Sequence, residues 1–220
     1  MGLNFNKPTV NNTIPQLEPG TYPARIAAIF DIGEQLQTDY KTQQPKKEKN
    51  SDQDMVRQEV FVTFEFPTET IEDDEGNKLP RWLSRRYTVS MHEKSHLYAL
   101  VKAVDPSLKT TSNGENPAAM LGLPLNVTVG LTKNKKPKIS AVATLMKGVQ
   151  VAPLANEPVL FDLDTATQEE FDELKPAFMR EVIAGALNFA GTGLVLKEDA
   201  EESTEQGDQQ GDSKDDHPDY

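Results

Sequence analysis

Cysteine is absent from the 220 residues of this chain, and tryptophan occurs only once. The absence of cysteine excludes disulfides, thiolate catalysis and cysteine-based zinc sites, so a reducing cytoplasm is the expected compartment. No apolar run is long enough to cross a membrane, and the start lacks the apolar segment of a signal peptide. The hydrophobic fraction of 36% is low for a fully packed protein. We therefore expect one domain with unpacked appendages.

Common enzyme motifs are missing as well. The chain has no GxxxxGK[ST], no GxGxxG after a predicted strand and no GxSxG. His92 and His96 have a metal-compatible spacing on a predicted helix, but no third ligand accompanies them, so we interpret them as surface histidines. Asp162 and Asp164 could bind Mg²⁺, although capping of the next helix is the favoured interpretation. We predict a protein that is not an enzyme and holds neither cofactor nor metal.

Charge is distributed unevenly along the chain. Of the formal net charge of −12, residues 198–220 carry −9, from ten acidic residues and one lysine. Residues 78–147 hold 12 lysines and arginines against 3 acidic residues. The acidic total therefore conceals a basic middle region, and the two features need separate explanations.

The pattern of alternating side chains predicts five strands, over residues 21–37, 55–66, 82–91, 123–131 and 137–145. A bend is expected at Gly33 in the first strand. Between the third and fourth strands a helix is predicted, with Ser90 and Glu93 as its capping box. This order, with one helix between strands 3 and 4, is that of an OB-fold, a five-stranded barrel that binds single strands. The predicted fold class is mainly β.

Four segments follow from these patterns. Residues 1–19 are predicted to form an arm, and residues 20–150 the OB-fold domain. Residues 151–190 are predicted to form a helical extension, with a helix capped at Thr165 or Thr167 and a second helix after Pro176. Residues 191–220 are low in complexity and acidic, so we expect disorder there.

The third strand concentrates cations and aromatics, and we predict that it contacts the phosphates and bases of a single strand. The residues are Arg81, Trp82, Arg85, Arg86 and Tyr87. The alternative is an ordinary strand with Trp82 in the core and solvated arginines.

Other candidate contacts lie outside that strand. The turn between the last two strands carries Lys133, Lys135, Lys136 and Lys138. Tyr40 and Phe61 are further stacking candidates, although a packing role for Phe61 is favoured. The acidic turn at residues 72–75 is expected to lie off the binding path.

Several blocks resemble the single-stranded-DNA-binding proteins encoded by tailed phages. The blocks are PGTYPARIAAIFDIGEQ, EVFVTFEFP, RRYTVSMHEKSHL, MLGLPLNVTV and NEPVLFDLD, within residues 20–187. The resemblance implies sequence-independent binding of single-stranded DNA in phage replication or recombination. It also implies a location in the cytoplasm of the infected bacterial host.

The end of the chain resembles the acidic tails of single-strand-binding proteins, which close on an aromatic residue. The matching residues are Asp215, Asp216, Pro218, Asp219 and Tyr220. The resemblance implies docking on replication or recombination partners such as a polymerase, primase or helicase. Tyrosine in place of phenylalanine, and Asp219 before it, depart from the pattern and favour a phage partner. A tail that folds over a neighbour's groove would favour a homodimer, whereas plain solubility is the simpler role.

Two other classes of function remain open on the sequence. One is a phage structural or interaction protein that uses an OB-like barrel without binding DNA. The other is a metal-dependent nuclease built around Asp162 and Asp164.

Overall fold

The computed structural model describes residues 16–39, 41–72 and 75–197. It is mainly β, with six strands and short helices, which confirms the predicted class. The strands are β1 (Gly20–Leu36), β2 (Val56–Glu72), β3 (Lys78–Thr88), β4 (Pro124–Leu131), β5 (Pro137–Thr144) and β6 (Val159–Phe161). The α-helices are α1 (His96–Val104), α2 (Gln168–Asp172) and α3 (Phe178–Ala184).

The strands form one sheet in the order β3-β2-β1-β4-β5, with β6 beside β1. The first four pairings are antiparallel and β6 is parallel to β1. β1 is long enough to pair with β4 through residues 20–25 and with β6 through residues 28–30, while β2 follows its other edge. Strands β3 and β5 are the two ends of the sheet, and no ladder joins them within the described residues.

Each face of the sheet buries its own hydrophobic cluster. The inner core lies between β1, β2, β4 and helix α1, and includes Phe64 and Leu100. The outer core lies under the C-terminal segment and includes Phe30, Phe61 and Phe171. Strand β2 serves both cores because successive side chains of a strand point to opposite faces. Its near-continuous burial therefore reflects a strand covered on both sides.

The first helix begins later than the sequence predicted. Its N-cap is Ser95, whose side chain accepts a hydrogen bond from the Tyr98 N–H. The predicted capping box of Ser90 and Glu93 is therefore wrong. Ser90 instead accepts a hydrogen bond at its carbonyl from the Ser95 hydroxyl, 2.5 Å away, which closes a turn before the helix. A cap was predicted at Thr165 or Thr167; the structure has it at Thr167, which forms a capping box with Glu170.

The segments outside the predicted domain are more closely packed than expected. The predicted helical extension also supplies β6, which pairs with β1. Residues 191–197 were predicted to be disordered, but Leu194 is buried in the outer core. Leu17, in the predicted arm, belongs to the inner core. Both leucines are buried because each removes apolar surface from water by packing against the apolar side chains of its core. Residues 1–15 and 198–220 lie outside the described residues.

None of the helices in the described segments is both long and apolar enough to span a membrane.

Candidate nucleic-acid interface

The predicted contacts on β3 lie on two different faces of the sheet. Arg85 pairs with Val62, an inner-core residue, whereas Arg86 pairs with Phe61, an outer-core residue. Because side chains alternate along a strand, Tyr87 shares the inner face with Arg85, and Trp82 shares the outer face with Arg86. The cluster that is continuous in sequence is therefore not one surface.

Trp82 is the predicted aromatic that keeps an open ring, since 42% of the residue is exposed. Its indole N–H donates to Glu65 Oε2 at 2.9 Å. The other oxygen of this buried carboxylate accepts the backbone N–H of Ala155, also at 2.9 Å. The ring is thus held by one edge and still presents apolar surface to solvent, which suits stacking.

Arg25, Glu65 and Trp82 form a row across three strands of the outer face. The Arg25 guanidinium donates to the carbonyls of Val151 (2.7 Å) and Ala152 (2.6 Å). Together with the Glu65 contact, these bonds fasten the segment that leads from β5 to β6 across the sheet. This role was not predicted from the sequence. The sequence feature that could have indicated it is a charged residue at an alternating position of an otherwise apolar strand, as at Arg25 and Glu65.

The side chains of Arg86 and Phe61 pack in the outer core. The guanidinium lies 3.4 Å from the Glu59 carboxylate and 5.2 Å from the centroid of the Phe61 ring. Burial lowers the pKa of Arg86, and Glu59 opposes that shift. Phe61 is 7% exposed and packs edge-on against Phe178. The predicted stacking role of Phe61 does not fit this position, whereas the packing alternative does.

Tyr87 is part of the inner core, with 2% of the residue exposed. Burial raises the pKa of its hydroxyl, and the Arg85 cation, 5.2 Å from the ring centroid, opposes the shift. No ring face is open to a base, so the predicted stacking of Tyr87 does not fit its position either.

The lysine-rich turn is a tight connection between β4 and β5. The Thr132 N–H donates to the Lys136 carbonyl at 2.8 Å, and the Lys135 N–H donates to the Thr132 carbonyl at 2.9 Å. Lys135 adopts a positive φ of 60°. The side chains at residues 133–138 are therefore presented by a short turn of defined conformation.

The strand directions bring this turn to the same end of the sheet as the start of β3. Both β3 and β5 run parallel to β1, because each is separated from it by two antiparallel pairings. We call this group of cations the basic rim; its members are Arg81, Lys133, Lys135, Lys136 and Lys138. Glu72 of the acidic turn pairs with Lys78 at this end too, although the turn was expected off the path.

Tyr22, on β1, is an aromatic residue that was not among the predicted contacts. It is half-buried, and its hydroxyl donates to the Glu18 carbonyl at 2.8 Å. Burial together with Glu69 and Glu18 raises the pKa of this hydroxyl, and Arg81 opposes the shift. The Tyr22 ring packs edge-on against Phe66, which is the cross-strand partner of Arg81, so both residues lie on the inner face of the sheet.

The carboxylate pair considered for a metal has structural roles. Asp162 Oδ1 accepts the Asp164 N–H at 3.0 Å, and the Asp162 carbonyl accepts the N–H groups of Thr165 and Ala166. Burial raises the pKa of nearby Asp31, and both carboxylates add to that shift. Across the described ranges, no group of three or more histidine or acidic side chains is arranged to hold a metal ion.

Two sets of predicted residues fall outside the described part of the chain: Tyr40, and the tail residues Asp215, Asp216, Pro218, Asp219 and Tyr220. The candidate interface therefore consists of Trp82 and the basic rim. Comparisons with protein-family models, with curated proteins and with solved structures found no match to this chain.

Proposed function

We propose that this protein binds single-stranded DNA without sequence preference, in phage DNA replication or recombination. The observation that carries the proposal is the exposed, edge-anchored ring of Trp82 on β3, the strand whose start lies at the same end of the sheet as the lysine-rich turn. The cations would follow the phosphates while Trp82 stacks on a base, a contact worth about 1–3 kcal/mol. Binding of this kind needs no contacts to base edges.

The sheet order supports an OB-fold as the scaffold for this binding. β1 is shared by the β1–β2–β3 and β1–β4–β5 halves, and α1 connects β3 to β4. The end strands β3 and β5 approach each other. A barrel would close along this seam between β3 and β5.

The wider role rests on the resemblance of the sequence. We propose that the protein protects single strands in the cytoplasm of the infected host cell and is not an enzyme. Its tail, through Asp215, Asp216, Pro218, Asp219 and Tyr220, would recruit a polymerase, primase or helicase. No cofactor or membrane is involved, and a homodimer is compatible with the proposal.

The test is fluorescence anisotropy of labelled oligo-dT titrated with the full chain at two salt concentrations, with the matching duplex as competitor. Tight, salt-sensitive and strand-selective binding with quenching of Trp82 is expected. The double variant Lys135→Gln/Lys136→Gln should reduce the slope of log affinity against log salt by about 1.4, at roughly 0.7 per phosphate. Lys175→Gln, an exposed lysine of the C-terminal segment, is the matched control and should leave the slope unchanged.

A second candidate is a structural or interaction protein of the phage. The C-terminal segment covers much of the outer face, which leaves less of the sheet open to DNA. The exposed apolar side chains of Val159 and Leu160 on β6 could instead contact another protein. Absence of oligo-dT binding at low salt, with residues 198–220 removed as well, would support this candidate and reject DNA binding. Binding without quenching of Trp82 fluorescence would support DNA binding but show that the bases stack on a residue other than Trp82.

A further inference from the structure

Arg85 is a buried cation without an anionic partner in the described part of the chain. The residue is 7% exposed. It makes no hydrogen bond or ion pair with any described residue, and its guanidinium carbon lies 5.2 Å from the centroid of the Tyr87 ring. The hydroxyl of Tyr87 is also buried and has no hydrogen-bond partner among the described residues. The guanidinium nitrogens of Arg85 are not among the fully enclosed unpaired atoms, so this cation keeps an opening to solvent beside an unsatisfied hydroxyl.

Other arginines of the sheet have polar partners, although the Nε of Arg86 is itself buried without a hydrogen-bond partner. Arg25 donates to three backbone carbonyls, Arg57 pairs with Glu48, and Arg86 lies beside Glu59. A buried charge normally persists only where it is paired and hydrogen-bonded, because desolvation is costly. A mostly buried cation that has no anionic partner among the described residues, and that keeps an opening to solvent, can receive an anion from outside the chain.

The position of Arg85 gives an external anion a route. β3 is an end strand, so its second edge pairs with no other strand in the described residues. Helix α1 and strand β5 lie against β3 along this seam. Arg81 lies on the same face of β3, four residues closer to the basic rim. A phosphate chain that follows the rim would therefore approach Arg85 past Arg81, from the rim end of the seam between β3 and β5.

We propose that the Arg85 guanidinium and the Tyr87 hydroxyl form a phosphate site within this seam. The inference rests on the proposed function, because the phosphate belongs to the bound single strand. A guanidinium can donate two parallel hydrogen bonds to phosphate oxygens, and the phenol can donate a third. Tyr87 then acts through its hydroxyl, not through stacking.

This site makes stability and binding change in opposite directions. Replacing Arg85 by methionine removes an unpaired buried charge and keeps most of the side-chain volume. Such a replacement is expected to raise the melting temperature of the ligand-free protein. It should also weaken oligo-dT binding about tenfold, the usual size of one charged hydrogen-bonding contact. The slope of log affinity against log salt should fall by about 0.7.

The experiment compares the full chain with Arg85→Met, Arg85→Lys and Tyr87→Phe in melting and oligo-dT titrations. Arg85→Lys should keep the salt slope but lose affinity, because it keeps the charge without the planar fork. Tyr87→Phe should weaken binding without changing the slope, and it tests the site even if the Arg85 variants fold poorly. Arg57→Met is the matched control: its arginine is paired with Glu48, so melting temperature should fall and binding should stay unchanged.

Failure of this inference is distinguishable from failure of the proposed function. If the wild-type chain binds oligo-dT and Arg85→Met binds with the same affinity and slope, the phosphate site is rejected and DNA binding stands. If the wild type binds no oligo-dT, the function is rejected, and inorganic phosphate becomes the probe. Phosphate should then raise the melting temperature of the wild type more than that of Arg85→Met; an equal rise rejects the site.

Discussion

At the scale of single residues, Asp105 shows how a loop can be built on one carboxylate. The residue is 5% exposed and lies directly after helix α1. It accepts hydrogen bonds from the Thr111 N–H (2.9 Å), the Thr111 hydroxyl (3.1 Å) and the Ser107 hydroxyl (2.8 Å). These hydrogen bonds lower its pKa to about 2 from the ordinary value of 3.8. The ionised form is therefore favoured by folding.

The sign of this shift predicts a pH-dependent contribution to stability. A carboxyl whose folded pKa is depressed stabilises the fold above its unfolded pKa, and the contribution is lost as pH falls through the folded value. Asp105→Asn should lower the melting temperature at neutral pH, and the deficit should shrink between pH values of 3.8 and about 2. Melting curves at several pH values test this, with Asp52→Asn at an exposed position as the control. A deficit independent of pH would contradict it.

At the scale of elements, β1 is the strand on which both halves of the protein meet. Its Gly33 has φ of +72°, and a Cβ there would lie 2.5 Å from Asn188 Oδ1 and 2.8 Å from Leu163 Cδ2. The Asn188 side chain also accepts the Glu34 N–H at 2.9 Å. Absence of a side chain at Gly33 therefore allows the C-terminal segment to contact the backbone of β1.

Gly33→Ala should destabilise the protein by about 2–4 kcal/mol, because backbone strain of roughly 1–3 kcal/mol adds to the steric clash. Gly148→Ala is the matched control, since Gly148 has φ of +88° but a Cβ at that position would meet nothing within 4 Å. The free energy of unfolding of Gly148→Ala should fall only by the amount that backbone strain accounts for. Urea denaturation monitored by Trp82 fluorescence measures both variants. Equal losses would show that the close approach at Gly33 carries no energetic cost.

At the scale of the whole molecule, charge is divided between the basic rim and the acidic tail. Residues 198–220 account for −9 of the net −12. A detached polyanion of this charge competes with DNA for a basic surface, and salt screens that competition. Occupation of the rim by DNA would release the tail, so that Tyr220 becomes available to a partner.

Deletion of residues 198–220 should tighten oligo-dT binding at low salt and have little effect at high salt. The same anisotropy titration, performed at two salt concentrations, measures this. A chain of full length in which the ten acidic residues of the tail are replaced by Asn and Gln separates charge from length. Unchanged affinity at low salt after deletion would exclude competition and leave solubility as the role of the tail.

Much of the architecture follows from local patterns in the sequence. Alternation of apolar residues, together with the turn at residues 132–136, predicted five of the six strands, including the long β1 that serves several neighbours. The cap of α2 was predicted at one of two positions, Thr165 or Thr167, and the structure has it at Thr167, where Glu170 completes a capping box three residues later. Such features depend on neighbours within one turn or one strand, so local sequence is enough to predict them.

Tertiary structure alone decided which side chains of β3 are available. Trp82 and Tyr87 look equivalent in the sequence, yet Trp82 is exposed and Tyr87 is buried. The difference arises because the opposite faces of one strand meet different partners, and those partners come from distant parts of the chain. Likewise, only the docking of the C-terminal segment determines that Phe61 packs against Phe178. Burial depends on what covers a residue, and local sequence does not specify the covering segment.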